Sequence, residues 1–275
     1  MMNMKNYSRI GYFLSLGMVA LLLLSACRRS ARVGFAEAEL NNLPACDQII
    51  VDYPVDVTIH VGQPTSVTFD PNMPKKIRED LVIKTKGTTL LIAPKQEFGT
   101  NWSEDRHRED RAHIDVYLPE LREIEATTAA SVRVADSLRQ SRFSISLSGA
   151  SELSDLRLSA DSLRIFTSGA STIEGLIQVA KGLEVVGAGA SSHHLQGLVG
   201  TLRLILSGAC EFDAPSLNVR QAEIKMAGAS SVDLGATDSL GYRLSGASSL
   251  SYRGQPVITE QTSSGASSVK QKADR

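Results

Sequence analysis

The sequence predicts an all-β protein: a parallel β-helix of about eight short rungs, preceded by a less regular β-rich region. Three observations predict it. A four-residue phrase keeps returning, with its glycines at intervals of roughly 18 to 20 residues, the range in which self-similarity marks a solenoid or array. Each copy sits in a run that alternates apolar and polar positions, the signature of a strand with one buried face. No copy carries the Asn-Gly or Asp-Gly turn that a hairpin array would need, so a coil stacked on the coil before it fits better.

The phrase reads Ser148-Gly149-Ala150-Ser151, Ser168-Gly169-Ala170-Ser171 and Ala188-Gly189-Ala190-Ser191. It continues as Ser207-Gly208-Ala209-Cys210, Ala227-Gly228-Ala229-Ser230, Ser245-Gly246-Ala247-Ser248 and Ser264-Gly265-Ala266-Ser267. Thr128-Ala129-Ala130-Ser131 reads as an imperfect earlier copy. Around one phrase, every second position gives Leu163, Ile165, Thr167, Gly169, Ser171 and Ile173. On this parity the large apolar residues, the Gly and the final Ser face inward, and the middle Ala points out. Rungs about 4.8 Å apart would make a rod on the order of 35 Å long. The alternative for the glycines is a corner with positive φ. Ala129 stands at the Gly position of the earliest copy, and alanine tolerates positive φ poorly. Close packing is therefore the expected reason for the glycines.

The chain in order begins with Lys5 and Arg9, followed by an apolar run from Ile10 to Leu24. A basic start, a short apolar run and small residues at its end read as a secretory signal over 1–26. The run is short for a membrane span. Leu24-Ser25-Ala26-Cys27 resembles the bacterial lipobox. That resemblance implies cleavage before Cys27 and acylation there, so Cys27 is the expected lipidation site and several acyl chains the membrane partner. Arg28 follows, with no Asp beside the Cys, so the outer membrane is the expected location, in either leaflet.

Residues 27–37 read as a tether and 38–125 as the N-terminal β-rich part. Strand patterns run from Asp47 to Tyr53, Val55 to Val61, Thr65 to Phe69, Leu81 to Thr85, Thr89 to Ala93 and Ala112 to Leu118. Gly62-Gln63-Pro64, Asp70-Pro71-Asn72 and Lys86-Gly87 separate them as turns. Pro74 to Asp80 reads as one helical turn. The run Trp102 to Arg111 is densely charged with both signs, as a solvated loop is. Its functional reading is a contact loop with Trp102 as anchor and Arg106, His107 and Arg108 beside it. The repeats fill 126–269, and 270–275 reads as a charged tail that guards an open end.

A lipobox, the stretch Ile50 to Gly62, then Tyr117-Leu118-Pro119-Glu120-Leu121, then the serial phrases, together resemble the putative autotransporter adhesin head GIN domain family. The resemblance implies a single-stranded right-handed parallel β-helix in secreted or envelope proteins, abundant in Bacteroidetes. It brings no catalytic residues with it.

Composition narrows the chemistry. The 275 residues are 42% hydrophobic, 21% charged and only 5% aromatic, which suits a narrow core of small and branched side chains. A formal net charge of −1 gives no electrostatic case for nucleic acid. Of three cysteines, Cys46 and Cys210 could pair in an oxidising compartment. However, Cys210 stands where other copies have Ser, and filling that slot is the simpler reading. His193 and His194 are adjacent, so their rings face opposite ways in a strand. His107 and His113 lack further ligands at metal-site spacing. No metal or cofactor is expected. No Gly-x-Ser-x-Gly elbow is present. Asp155, Glu174, Glu211, Asp213 and Asp233 are outward acidic candidates for a polysaccharide-acting β-helix enzyme. Their scatter fits solubility better, and fold alone licenses no activity. The expected function is non-catalytic: adhesion to, or binding of, a glycan, polymer or protein along a sheet face. The rival is a self-associating envelope scaffold.

Overall fold

The computed structural model describes residues 40–95 and 112–273, apart from residue 42. The strands are β1 (Gln48–Val51), β2 (Asp56–Val61), β3 (Ser66–Phe69), β4 (Leu81–Lys86), β5 (Thr89–Pro94), β6 (His113–Leu118), β7 (Glu123–Ala126), β8 (Ser131–Val134) and β9 (Ser137–Leu147). They continue as β10 (Glu152–Thr167), β11 (Thr172–Gly189), β12 (Ser192–Gly208), β13 (Glu211–Ala214), β14 (Leu217–Gly228), β15 (Ser231–Leu244), β16 (Ser249–Arg253), β17 (Val257–Ser263) and β18 (Ser268–Gln271). A helix, α1 (Lys75–Asp80), stands where a helical turn is expected.

These strands form a β-helix of about seven turns behind an irregular N-terminal region. Every pairing is parallel except β3 on β6 and β4 on β5. The long strands bend as they go, so each coil has three sides. On the first side, Glu152 and Leu153 of β10 pair with Thr172 and Ile173 of β11. On the second, Arg157 to Ala160 pair with Leu176 to Val179. On the third, Ser162 to Thr167 pair with Gly182 to Gly187. A register shift at Ala160/Ser162 and Val179/Gly182 marks the bend between the last two.

Inward side chains stack in columns, one residue per coil. Leu163 lies beside Leu183, then Leu202, Ala222 and Leu240. Ile165, Val185, Leu204, Ile224 and Tyr242 form the next column. All ten are buried. Column stacking lets the narrow core exclude water along its whole length, which suits the aliphatic, aromatic-poor composition.

The N-terminal region is irregular in coil order. The coil β1–β2 pairs with β5–β6 on one flank and with β7–β8 on the other. The earliest coil in sequence is therefore the second in the stack. β3, α1 and β4 close this end, burying Val67, Met73, Leu81 and Ile83.

The corner between the third and first sides is the Ser-Gly-Ala-Ser phrase, and here the structure corrects the sequence reading. Gly149, Gly169, Gly189, Gly208, Gly228, Gly246 and Gly265 all have positive φ, from 71° to 99°. They are exposed, not inward. Each is both a left-handed corner and a close approach, because a Cβ at Gly228 would stand 2.4 Å from the Gly208 carbonyl oxygen. The alignment of the earliest copy also moves by one residue. Ala150 donates its N–H to the Thr128 carbonyl at 2.6 Å, as Ala170 does to Gly149 at 2.7 Å. Thr128, at φ 63°, thus occupies the Gly position, and Ala129 does not.

The final Ser does face inward. Ser151, Ser171, Ser191, Ser230 and Ser248 are buried. Ser171 Oγ donates to the Ser168 carbonyl at 2.8 Å, and Ser151 Oγ to Ser148 at 2.7 Å. The first and fourth residues thus close the turn through a side-chain to backbone hydrogen bond. Cys210 sits in the same slot, with its Sγ 3.3 Å from the Ser207 carbonyl. Cys46 and Cys210 are both free thiols.

Candidate functional site

Cys27 lies outside the described residues, as do Trp102, Arg106, His107 and Arg108 of the expected contact loop. The outward acidic residues are described, and most are held in separate pairings. Asp155 pairs with Arg133 at 3.0 Å and Asp213 lies 3.6 Å from His194. Asp233 pairs with Arg253 and with Lys272, each at 2.8 Å. Glu211 accepts from Ser192 at 3.5 Å. Burial alone would raise the Asp233 carboxyl, but its two cations hold it below the usual aspartate value. Asp155, Glu174 and Asp213 line one depression together with Arg157 and His194, whereas Glu211 and Asp233 lie outside it.

The two adjacent histidines separate as their parity requires. His193 is buried in the core, with Nε2 2.8 Å from Thr167 Oγ1 and Nδ1 3.0 Å from the Glu211 carbonyl. His194 points outward. His60 and His113 place their Nε2 atoms 3.2 and 3.3 Å from the same Asp115 oxygen. Among the described residues, no group of three or more His, Cys, Asp or Glu side chains could hold a metal ion.

A concave surface lies on the second side. Its outward residues form two columns. One runs Ser137, Arg157, Leu176, Gln196 and the other Arg139, Ser159, Gln178, Leu198, Asn218. A groove of about 790 Å³ follows the second column and the adjoining bend, from Arg139 to Asp238. It shares Arg139, Ser159, Gln178 and Leu198 with a neighbouring depression over the first column. That depression in turn shares Arg157 and Leu176 with a third, which reaches His194 and Asp213. The three make one trough along the rod. The volume of the first groove lies within the range of ligand-binding clefts.

The trough floor mixes three chemistries. Leu176 and Leu198 are 55% and 51% exposed on a face that alternation reserves for polar residues. Gln178, Gln196 and Asn218 bring neutral amides on successive coils. Arg139, Arg220 and Asp238 form no ion pair among the described residues and are free to meet a ligand. Sequence alone left this site unread, although it carried a mark: Leu176-Ile177 and Leu198-Val199 are consecutive apolar pairs, which break period two.

The model of the "Putative auto-transporter adhesin, head GIN domain" family matches residues 46–256. A crystal structure of a putative adhesin from Parabacteroides merdae is similar at TM-score 0.70 and 16% identity, over 84% of this chain and 93% of that one. A putative lipid binding protein from Parabacteroides distasonis is similar at TM-score 0.67 and 20% identity, over 84% and 94%. A putative adhesin from the same organism is similar at TM-score 0.68 and 18% identity, also over 84% and 94%. At these identities the likeness shows the fold. No curated protein matches the chain. With about three-quarters of its length matched by the family model, the chain belongs to the putative auto-transporter adhesin head GIN domain family.

Proposed function

We propose that this chain is a non-catalytic binding protein of the cell envelope that holds a linear glycan in the trough of its second side. One observation carries the reading: the trough offers amide, hydroxyl and aliphatic groups that recur at the coil spacing, across several coils. A step of about 4.8 Å is close to the length of one sugar ring. A repeating ligand would therefore meet a repeating surface. Amides and guanidinium groups suit sugar hydroxyls and carboxylates, and Leu176 and Leu198 can lie under the apolar faces of the rings. The adhesin names of the family and of two similar structures agree with a binding role at an envelope or surface.

A glycan array read with the wild type and with a Leu176→Glu, Leu198→Glu double variant tests this. Saturable binding by the wild type that the variant loses is the expected result. Binding only to polypeptide, or to nothing on the array, would overturn it. Lipid anchoring through Cys27 belongs to the same proposal. Radiolabelled palmitate should enter the wild type and not Cys27→Ala, and a wild type without label would remove the anchor. Among the described residues, no helix is long and apolar enough to cross a membrane.

A further inference from the structure

The two ends of the rod are built differently. At the N-terminal end, β3 and β4 turn antiparallel and α1 joins them, so the end is closed by chain that does not continue the stack. At the C-terminal end the last coil, β17 and β18, is another parallel rung. β17 pairs only with β15 and β18 only with β16 among the described strands. Alternate residues along both strands therefore direct N–H and C=O groups at an open edge.

The corner makes the vacancy specific. From Gly149 onward, each corner carbonyl accepts the Ala N–H of the next coil, ending with Ala266 on Gly246 at 2.8 Å. Gly265 keeps the same left-handed corner at φ 71°, and no backbone N–H among the described residues continues this ladder onto its carbonyl.

The side chains leave the end open as well. The inward positions of the last coil are Ile258, Gln261, Ser263 and Val269, set by their register on Leu240, Tyr242, Leu244 and Leu250. None is charged. The charged residues are turned sideways: Glu260 pairs with Arg243, and Lys272 with Asp233. Val257 and Ile258 are 69% and 40% exposed. A bulge at Thr259 interrupts the register along β17. Lys270 and Gln271 of the expected tail belong to β18 itself, and Asp274 and Arg275 lie outside the described residues.

We propose that this C-terminal coil is a docking surface for the same coil of a second copy, the two rods meeting end to end about a two-fold axis. A neutral coil end is self-complementary, whereas a copy docking head to tail would meet the closed N-terminal cap. The chain between β5 and β6 cannot cover the end instead. Nine strand steps separate β5 from β17, about 43 Å each way. The connection of residues 96–111 spans at most about 55 Å in all. A coil end of roughly 20 by 30 Å would remove on the order of 1,200 Å² in a pair, the lower bound for a stable interface. The surface is separate from the trough, so it does not depend on the glycan reading.

Mass measurement by light scattering on the full chain in detergent, across a concentration series, tests the proposal. The expected result is a dimer for the wild type and a monomer for Ile258→Lys, Gln261→Lys, with the thermal midpoint kept. A second arm uses thiol crosslinking, since Cys46 and Cys210 are buried. Gln261→Cys should crosslink to dimers above the wild-type background, and Asn72→Cys at the N-terminal cap should not. This arm decides the matter if the lysine variant fails to fold. A wild type that stays monomeric, a dimer that survives the lysines, open-ended polymers, or equal crosslinking at Asn72 would each overturn the proposal.

Discussion

Ala229 donates its backbone N–H to the carbonyl oxygen of Gly208 at 2.7 Å, one coil below. That bond draws the corner of one coil onto the corner of the next. It leaves no room between Gly228 and Gly208: a Cβ on Gly228 would lie 2.4 Å from the Gly208 oxygen and 3.0 Å from its nitrogen.

Gly228→Val should therefore destabilise the fold severely. The residue sits at φ 88°, where a β-branched side chain is strained before any clash. Strain and a backbone collision together should cost about 3 kcal/mol or more. Ala229→Val, at the exposed neighbouring position, should stay within about 0.5 kcal/mol of wild type. Urea unfolding of both variants checks the asymmetry. Equal losses would mean that the corner is free to shift, against the bond from Ala229.

The strands were legible because period two marks them on every coil. Leu163, Ile165 and Ile173 are inward as alternation requires, and Arg164 and Glu174 are exposed. The corner was misread for a physical reason. Gly169 falls on the inward parity by counting, but a positive φ breaks the count without leaving any mark in hydrophobicity. Coil order in the N-terminal region was hidden for another reason. The insertion of β1–β2 between β5–β6 and β7–β8 depends on pairings distant in sequence, while turn residues report only local geometry. The trough was legible in part. Leu176 and Leu198 break alternation, but only the stack shows that they lie on neighbouring coils of one face.

Ser171 tests the fourth position of the phrase. It is fully buried, and its hydroxyl satisfies the Ser168 carbonyl. Ser171→Ala would remove that bond and should cost about 1.5 kcal/mol. Cys210→Ser places the usual residue into an equivalent slot, where the sulfur already lies 3.3 Å from the Ser207 carbonyl. It should remain within about 1 kcal/mol of wild type. Denaturant midpoints for the two variants decide it. A Cys210→Ser loss as large as that of Ser171→Ala would mean that the slots are not equivalent.

His193 gives the fold an acid sensitivity that can be assigned to one side chain. Burial pushes its pKa down from 6.5 to about 4, against a smaller opposing pull from the Glu211 carbonyl and a small further push from His194. The neutral ring is fully used: Nδ1–H donates to that carbonyl, and Nε2 accepts from the Thr167 hydroxyl. A second ring proton would lose the Thr167 bond and bury a charge. The unfolded chain takes up its proton near the ordinary value of 6.5, and the folded chain only near 4. Between those values the unfolded state binds more protons, so stability falls as pH is lowered through this window and the loss levels off below it. The size is about 3 kcal/mol, a large part of a typical domain stability of about 5–15 kcal/mol. His193→Gln keeps a donor and an acceptor but cannot titrate. Its stability should be lower near neutral pH and should vary less between about pH 6.5 and pH 4. Urea midpoints of the two proteins across that range isolate the contribution, because every carboxylate is common to both and cancels in the difference. A difference that does not change with pH would show that the buried imidazole is not the group whose protonation weakens the fold.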